Sequence, residues 1–117
     1  MSADWKYKLG LIIPSWNTTL EYETWRMASF GVSIHTARVA HTDDTEKTLL
    51  HNAKMGPEAA KLLAHAKVSA ICFGCTGASF LRENIDQEII DEIATTTTTS
   101  AIIDDLNFLQ VKSIAIA

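Results

Sequence analysis

No apolar run in the sequence reaches the roughly 18 residues that a membrane-spanning helix needs, so no membrane contact is expected. The first ten residues, MSADWKYKLG, contain no apolar stretch followed by a cleavage site, and they are not expected to form a signal peptide. Lysine and arginine form no basic block and the net charge is −4, which argues against nucleic acid or an anionic membrane surface as the main partner. These absences together predict a cytoplasmic protein.

Cysteine, proline and glycine are also scarce, with two, two and five residues respectively among 117. In a reducing cytosol the two cysteines are expected to be reactive or buried thiols rather than a disulfide. No segment rich in proline, glycine and serine divides the chain, and no internal repeat is present. Because 47% of the residues are apolar and 21% are charged, the composition is that of one globular domain with a real core.

Short apolar runs of β type alternate with longer segments of helical spacing. Strands are predicted at 8–13, 32–39, 68–73, 95–99 and 111–117, and helices at 17–27, 45–66, 80–93 and 101–109. Gly56 and Pro57 predict either two helical segments or one strong kink within 45–66. The order βαβαβαβαβ predicts an α/β fold: a flavodoxin-like parallel sheet with helices on both faces.

Two loops at the carboxyl edge of the predicted sheet, where open parallel sheets bind ligands, contain unusual polar groups. The first loop contributes Ser15, Asn17, Thr18 and Thr19. One or two of these residues are explained by capping of the next helix. Four hydrogen-bonding groups exceed the needs of a cap, so this loop predicts an anion-binding cradle that faces the second loop.

The second loop, 74–77, follows the most apolar predicted strand and contains Cys75 between two glycines. At a helix N-terminus, backbone N–H groups and the helix dipole would favour a thiolate with a lowered pKa. Thr76 adds a hydroxyl beside exposed amides, which suits a carboxylate, and the glycines would let a ligand approach the backbone. The alternative is that Cys75 is a small buried core residue.

Cys72 and Cys75 form a C-x-x-C pair, which allows a thiol redox function. We interpret Cys72 as a core residue because it lies within the apolar strand. A zinc site needs four ligands and no second pair has suitable spacing, so no metal is expected. The four histidines form no paired motif and are assigned no catalytic role, and the acidic residues before Glu46 predict a helix start.

Three segments resemble the aspartate/glutamate racemase superfamily, in particular its maleate cis-trans isomerase and arylmalonate decarboxylase branch. They are LGLIIPSWNTTLEYE at 9–23, ICFGCTGASF at 71–80 and TTTTTSAIIDDLNFLQVKSIAIA at 95–117, so the resemblance spans nearly the whole chain. In maleate isomerases the sequence of the loop after the first strand resembles PSSNT. In this chain the corresponding loop has Trp16 in place of a small residue.

The resemblance implies a cofactor-independent isomerase or racemase that acts on small carboxylic or dicarboxylic acids. Cys75 matches the catalytic cysteine of the N-terminal half, and Asn17, Thr76 and Gly77 match carboxylate-binding positions, with Ser15 expected to assist them. The decarboxylase branch has glycine in place of this cysteine. Cys75 therefore favours isomerase or racemase chemistry.

The resemblance also implies two similar α/β halves with the active site between them. Residues 1–112 are expected to form the N-terminal half, and residues 113–117 the first strand of a second half that is absent. Since no cysteine follows Cys75, the partner cysteine is expected in that second half, and the chain by itself is expected to lack a complete active site. An exposed apolar last strand would favour homo-oligomers.

Three other functions stay open at this point. The first is an arylmalonate decarboxylase-like enzyme for another small acid. The second is a thiol redox protein that uses Cys72 and Cys75, and the third is a catalytically silent half-domain that binds carboxylates.

Overall fold

The computed structural model describes residues 4–93 and 96–97 and the single positions 104 and 107. In chain order its elements are β1 (Tyr7–Pro14), α1 (Leu20–Met27), β2 (Val32–Val39), α2 (Glu46–His65), β3 (Ala70–Phe73), α3 (Thr76–Ser79), α4 (Ile85–Ile93) and β4 (Thr96–Thr97). None of the helices in this part of the chain is long and apolar enough to cross a bilayer.

The four strands form one parallel sheet in the order β2-β1-β3-β4. β1 pairs with β2 along its whole length, from Tyr7 opposite Val32 to Pro14 opposite Val39. The order agrees with that of flavodoxin-like sheets, in which the first strand lies between the second and the third. The predicted fold class is confirmed.

Alternate side chains of β1 enter two separate cores, because successive residues of a strand point to opposite faces. Ile12 packs with Phe73 against α2 and α4, and both are completely buried. On the other face, Leu11 and Ile13 pack with Ile34 beside α1. Helices therefore cover both faces, and the near-continuous apolar sequence of β1 is that of a strand buried on both sides.

Helix α2 is continuous, with Pro57 inside it, so of the two predicted alternatives the division into two segments is wrong. Burial of one unbroken helical face against the sheet outweighs the hydrogen bond that Pro57 cannot donate. Gly56 lies on this face, and a Cβ there would be 2.5 Å from Cδ1 of Ile93. The Gly-Pro pair therefore marks close packing of α2 against α4 rather than a helix end.

The helix predicted at 80–93 begins later, at Ile85, and the short helix α3 precedes it. Asn84 separates the two with a positive φ of 64°, a conformation that asparagine tolerates better than most residues. The strand predicted at 95–99 is present as β4 within its described residues, and pairs with Cys72 and Phe73. The predictions for 101–109 and 111–117 and the domain boundary after 112 lie outside the described residues.

The loop before α2 confirms the predicted helix start. The Asp43 carboxylate accepts hydrogen bonds from the Thr45 hydroxyl at 2.5 Å, the Thr45 N–H at 2.9 Å and the Thr48 hydroxyl at 2.8 Å. Thr45 caps the helix, because its hydroxyl accepts the Thr48 N–H at 3.3 Å. The hydrogen bonds from Thr45 and then Thr48 hold the pKa of Asp43 well below its usual value.

We expect the contribution of Asp43 to stability to depend on pH. Since its pKa is lower in the folded chain than the ordinary value of 3.8, the ionised carboxylate stabilises the fold above that value and loses this effect as the pH falls towards the folded pKa. The Asp43→Ala variant should lower Tm by a few degrees at pH 7 and by less at pH 3 and below, as measured by circular dichroism. Glu92→Ala, which removes an exposed carboxylate of α4, is the control. An equal loss at both pH values would contradict the assignment.

Candidate active site

A cavity of about 240 Å³ lies at the carboxyl edge of the sheet, among the turns that follow β1, β2 and β3. Its lining consists of Pro14, Trp16, Asn17, His41, Asp44, Leu49, Gly74, Cys75, Thr76 and Gly77. Four of the five predicted site residues are therefore brought together: Asn17, Cys75, Thr76 and Gly77. The two loops selected from the sequence face the same space, as expected for turns at the carboxyl ends of neighbouring parallel strands.

Ser15, the fifth predicted residue, does not line the cavity and instead joins the turns after β1 and β2. Its hydroxyl accepts a hydrogen bond from the His41 N–H at 3.1 Å and donates to the His41 carbonyl at 3.4 Å. Arg38 supports the same turn by donating to the carbonyls of Ser15 and Asn17, at 3.2 and 2.7 Å, and pairs with Glu21 at 3.0 Å. These contacts hold the first loop against the second strand.

Asn17 lies two residues before Thr19, the N-cap position of helix α1, and caps the start of this helix through its side-chain oxygen. Oδ1 accepts hydrogen bonds from the N–H groups of Thr19 and Leu20 at 3.0 and 2.9 Å. Within the described residues Nδ2 has no hydrogen-bond partner, and Asn17 lines the cavity. Capping and ligand binding are therefore compatible, because they use different atoms of one amide.

Cys75 lies directly before α3 and is only 4% exposed. Burial raises the pKa of its thiol, and the negative charge of Asp44 adds to the rise, while hydrogen bonds from the Ala78 N–H and the Asn52 amide act in the opposite direction. The lowered pKa predicted from the sequence is therefore wrong. A helix of four residues has a weak dipole, and the loss of water around the thiolate outweighs it.

Thr76 and Gly77 are exposed at the cavity mouth, where a hydroxyl and a backbone N–H can reach a ligand. The two glycines of this loop also have packing roles. A Cβ on Gly74 would overlap Leu20, and one on Gly77 would lie 3.1 Å from Leu49. The glycine signal in the sequence therefore reports close contact of this turn with α1 and α2 as well as access to the cavity.

Cys72 and Cys75 lie in different cores. Cys72 is opposite Leu11 in the register of β1 and β3, is half-buried and packs against the core beside α1, whereas Cys75 belongs to the core under α2 and α4. Both thiols are free. A disulfide needs Cβ atoms about 4 Å apart with converging directions, so this placement disfavours the redox hypothesis.

A buried polar network beside Cys75 was missed by the sequence analysis. His41 is 5% exposed and Asn52 is completely buried. Nε2 of His41 lies 2.9 Å from Oδ1 of Asp44, and Nδ1 contacts the Asn52 amide nitrogen. The Trp16 ring packs edge-on against the imidazole, with 5.6 Å between the two ring centroids. The sequence contained one indication of this network. Asn52 shares the apolar face of α2 with Leu49, and a polar residue on such a face needs a hydrogen-bond partner.

A larger groove of about 640 Å³ lies along α2 and is lined partly by Lys47, His51 and Lys54. It contains none of the predicted site residues. Its carboxylate, Asp43, is already bound by neighbouring threonine hydroxyls. We therefore place the candidate site in the smaller cavity.

No protein-family model matches the chain, and no curated protein matches it significantly. Solved structures do match. The maleate cis-trans isomerase of Nocardia farcinica bound to TRIS is 18% identical with a TM-score of 0.77, and a cysteine-to-alanine variant of the maleate isomerase Iso from Pseudomonas putida with maleate is 19% identical with a TM-score of 0.73. The fold is that of the maleate cis-trans isomerases.

In both cases the match covers 89% of this chain and 49% of the other. The same coverage applies to a cysteine-to-serine variant of the Nocardia farcinica enzyme with a covalently bound succinylcysteine intermediate, at 16% identity and a TM-score of 0.72. The chain thus spans about half the length of these maleate isomerases. At the level of the fold, the resemblance found in the sequence is confirmed.

The capping role of Asn17 predicts different effects for two substitutions. Asn17→Ala removes the acceptor and should lower the free energy of unfolding by about 1 kcal/mol. Asn17→Asp keeps an acceptor at the same position and should retain the wild-type stability. Urea denaturation measures both, with Thr18→Ala at the exposed neighbouring position as the control. Alanine and aspartate variants of equal stability would show that Asn17 is not the cap.

Proposed function

We propose that the chain contributes the nucleophile and one carboxylate site of a cofactor-independent isomerase for small cis-dicarboxylic acids such as maleate. The observation that supports this most directly is the convergence of Cys75 with Asn17 and Thr76 on one cavity, in a fold shared with maleate isomerases. The succinylcysteine in the Nocardia farcinica structure adds support, because a thiol that adds across the double bond of maleate forms this group.

Carboxylate binding would use donors at the cavity mouth: the Nδ2 group of Asn17, the Thr76 hydroxyl and the Gly77 N–H. The indole of Trp16 forms one wall and is itself 59% exposed. At about 240 Å³ the cavity is smaller than the roughly 300–1,000 Å³ of pockets for drug-sized ligands. This size favours a short acid over a bulky aromatic one.

In the proposed reaction the Cys75 thiolate attacks one alkene carbon of the substrate. A C–S bond forms, and the electron pair of the π bond moves to the neighbouring carbon, which takes a proton to give the succinyl thioether. The former double bond is now a single bond and can rotate. Removal of that proton and cleavage of the C–S bond then restore the alkene in the trans form and return the thiolate.

This sequence of steps needs a second acid and base on the opposite side of the substrate. The family resemblance implies that a cysteine of a second α/β half has this role. Cys75 by itself accounts for the addition and the elimination at sulfur. Formation of the thioether is therefore the step that tests this chain.

We expect incubation with maleate to add the mass of one maleic acid to Cys75. Intact-protein and peptide mass spectrometry would detect the adduct, and its rate should increase with pH because burial raises the pKa of the thiol. Cys75→Ser should abolish the adduct, whereas Cys72→Ser, a change in the other core, should retain it. Modification of Cys72 at an equal rate, or no adduct at any pH, would contradict the proposal.

Binding of the substrate carboxylate predicts a second effect for Asn17→Asp. This variant keeps the helix cap but loses the Nδ2 donor and places a negative charge beside the ligand. The maleate concentration that gives half the maximal rate of adduct formation should rise roughly tenfold or more, since a hydrogen bond to a charged group contributes on the order of 1.5–3 kcal/mol. An unchanged concentration would limit Asn17 to its capping role.

A further inference from the structure

Polar side chains connect the exposed carboxylate of Asp44 to the buried thiol of Cys75. Oδ1 of Asp44 lies 2.9 Å from Nε2 of His41, the Nδ1 atom of the same ring contacts Nδ2 of Asn52, and this Nδ2 lies 4.0 Å from Sγ of Cys75. The turn after β2, helix α2 and the turn after β3 each contribute to this path. His41, Asp44 and Cys75 of this path line the cavity, and Asn52 lies behind them.

With the Asn52 amide nitrogen facing Nδ1 of His41, one tautomer of the ring satisfies both contacts. An amide nitrogen only donates, so in this tautomer Nδ1 accepts and the proton on Nε2 is donated to Asp44. Asn52 then has one N–H directed to His41 and the other available to Cys75. A neutral His41 thus determines which end of the Asn52 amide faces the sulfur.

The other end of this amide is unsatisfied. Within the described residues Oδ1 of Asn52 has no hydrogen-bond partner, although the residue is completely buried. An unpaired buried acceptor destabilises a fold. In this orientation the amide makes both of its contacts, to His41 and to Cys75, through its nitrogen.

We propose that His41, held by Asp44, is a positioning residue that keeps the Asn52 N–H directed at Cys75 and so stabilises the thiolate. This inference rests on the proposed function, in which that thiolate attacks the substrate. Ser15 supports the arrangement, because its hydroxyl binds both the N–H and the carbonyl of His41. No proton passes between His41 and Cys75.

Protonation of His41 would reverse the arrangement. The imidazolium has an N–H at Nδ1, which repels the Asn52 nitrogen and needs an acceptor. A half-turn of the amide places Oδ1 between His41 and Cys75, where it accepts from the imidazolium and from the neutral thiol. The amide then disfavours the thiolate instead of stabilising it.

The groups that face His41 are few in the described part of the chain. Its own loop contributes Asp44, α2 contributes the uncharged Asn52, and the turn after β3 contributes Cys75 through that amide. The turn after β1 contributes Trp16 and Ser15, which carry no charge. Asp44 and Cys75 are therefore the titratable partners in this arrangement.

The alkylation rate of Cys75 by iodoacetamide as a function of pH tests the inference in the full chain, with peptide mass spectrometry to separate Cys75 from Cys72. For an isolated thiol the rate rises tenfold per pH unit below its pKa. We expect a rise steeper than tenfold per pH unit over the interval in which the His41 ring changes charge, because stabilisation of the thiolate by Asn52 begins only with the neutral ring. A direct imidazolium–thiolate attraction would give a shallower rise, and this result would overturn the inference.

Variants separate the contributions of His41 and Asn52 to the reactivity of Cys75. In His41→Gln the alkylation rate should rise tenfold per pH unit throughout. In Asn52→Leu the steep interval should be lost, and the alkylation at pH 8 should be roughly threefold to tenfold slower. His51→Gln, an exposed position of α2, is the matched control and should retain the wild-type profile. A steep interval that persists in His41→Gln, or is lost in His51→Gln, would overturn the role of His41.

Asp44→Asn provides a variant that is expected to fold, because the Asp44 side chain is 84% exposed. Removal of the carboxylate charge weakens the contact that holds the Nε2 side of His41 and so loosens the ring opposite Asn52, and the steep interval should become shallower. An unchanged profile would overturn the role of Asp44. These measurements need no maleate: a steep interval without a maleate adduct contradicts only the isomerase proposal, and an adduct without a steep interval contradicts only the role of His41.

Discussion

Burial of β1 on both faces is the constraint on which the rest of the structure depends. Ile12 enters the core under α2 and α4, while Leu11 and Ile13 enter the core beside α1. β2 and β3 pair with the two edges of this strand in parallel. The turns after all three strands must then meet at one edge of the sheet, and the candidate site consists of side chains from those turns and from the start of α2.

Several polar groups near this edge have structural and chemical roles at the same time. Asn17 uses its oxygen to cap α1 and leaves its nitrogen to the cavity. The Ser15 hydroxyl holds the backbone of His41, and Arg38 holds the carbonyls of the first turn. The excess of hydrogen-bonding residues in the first loop therefore has two causes: attachment of the loop to its neighbours and presentation of donors to a ligand.

Burial of Cys75 opposes the reactivity of its thiol, because the reactive form is the charged thiolate. A position inside the core beneath α2 protects the thiol from solvent and raises its pKa. The hydrogen-bond donors around it, the Ala78 N–H and the Asn52 amide, act against that rise. In such a site each hydrogen-bond donor that reaches the sulfur has more influence than it would have at an exposed thiol.

The amino-acid sequence by itself determined the features that depend on local patterns. Apolar runs and helical spacing predicted the alternation of strands and helices. The polar loops at the ends of two strands predicted that Ser15, Asn17, Cys75, Thr76 and Gly77 would meet at one edge, and the structure places all of them except Ser15 around one cavity. Strand ends and loops follow from short segments, and the parallel topology brings them together without further information.

Only the tertiary structure decided the features that depend on contacts between distant segments. Helix α2 continues through Pro57 because one long face of it is buried on the sheet, a term that local breaker rules do not contain. The pKa of Cys75 is raised rather than lowered because burial outweighs the short helix that follows. The network of His41, Asp44, Asn52 and Cys75 joins residues from a loop, a helix and a distant turn. No spacing in the sequence predicts it, since packing of α2 against the sheet brings these side chains together.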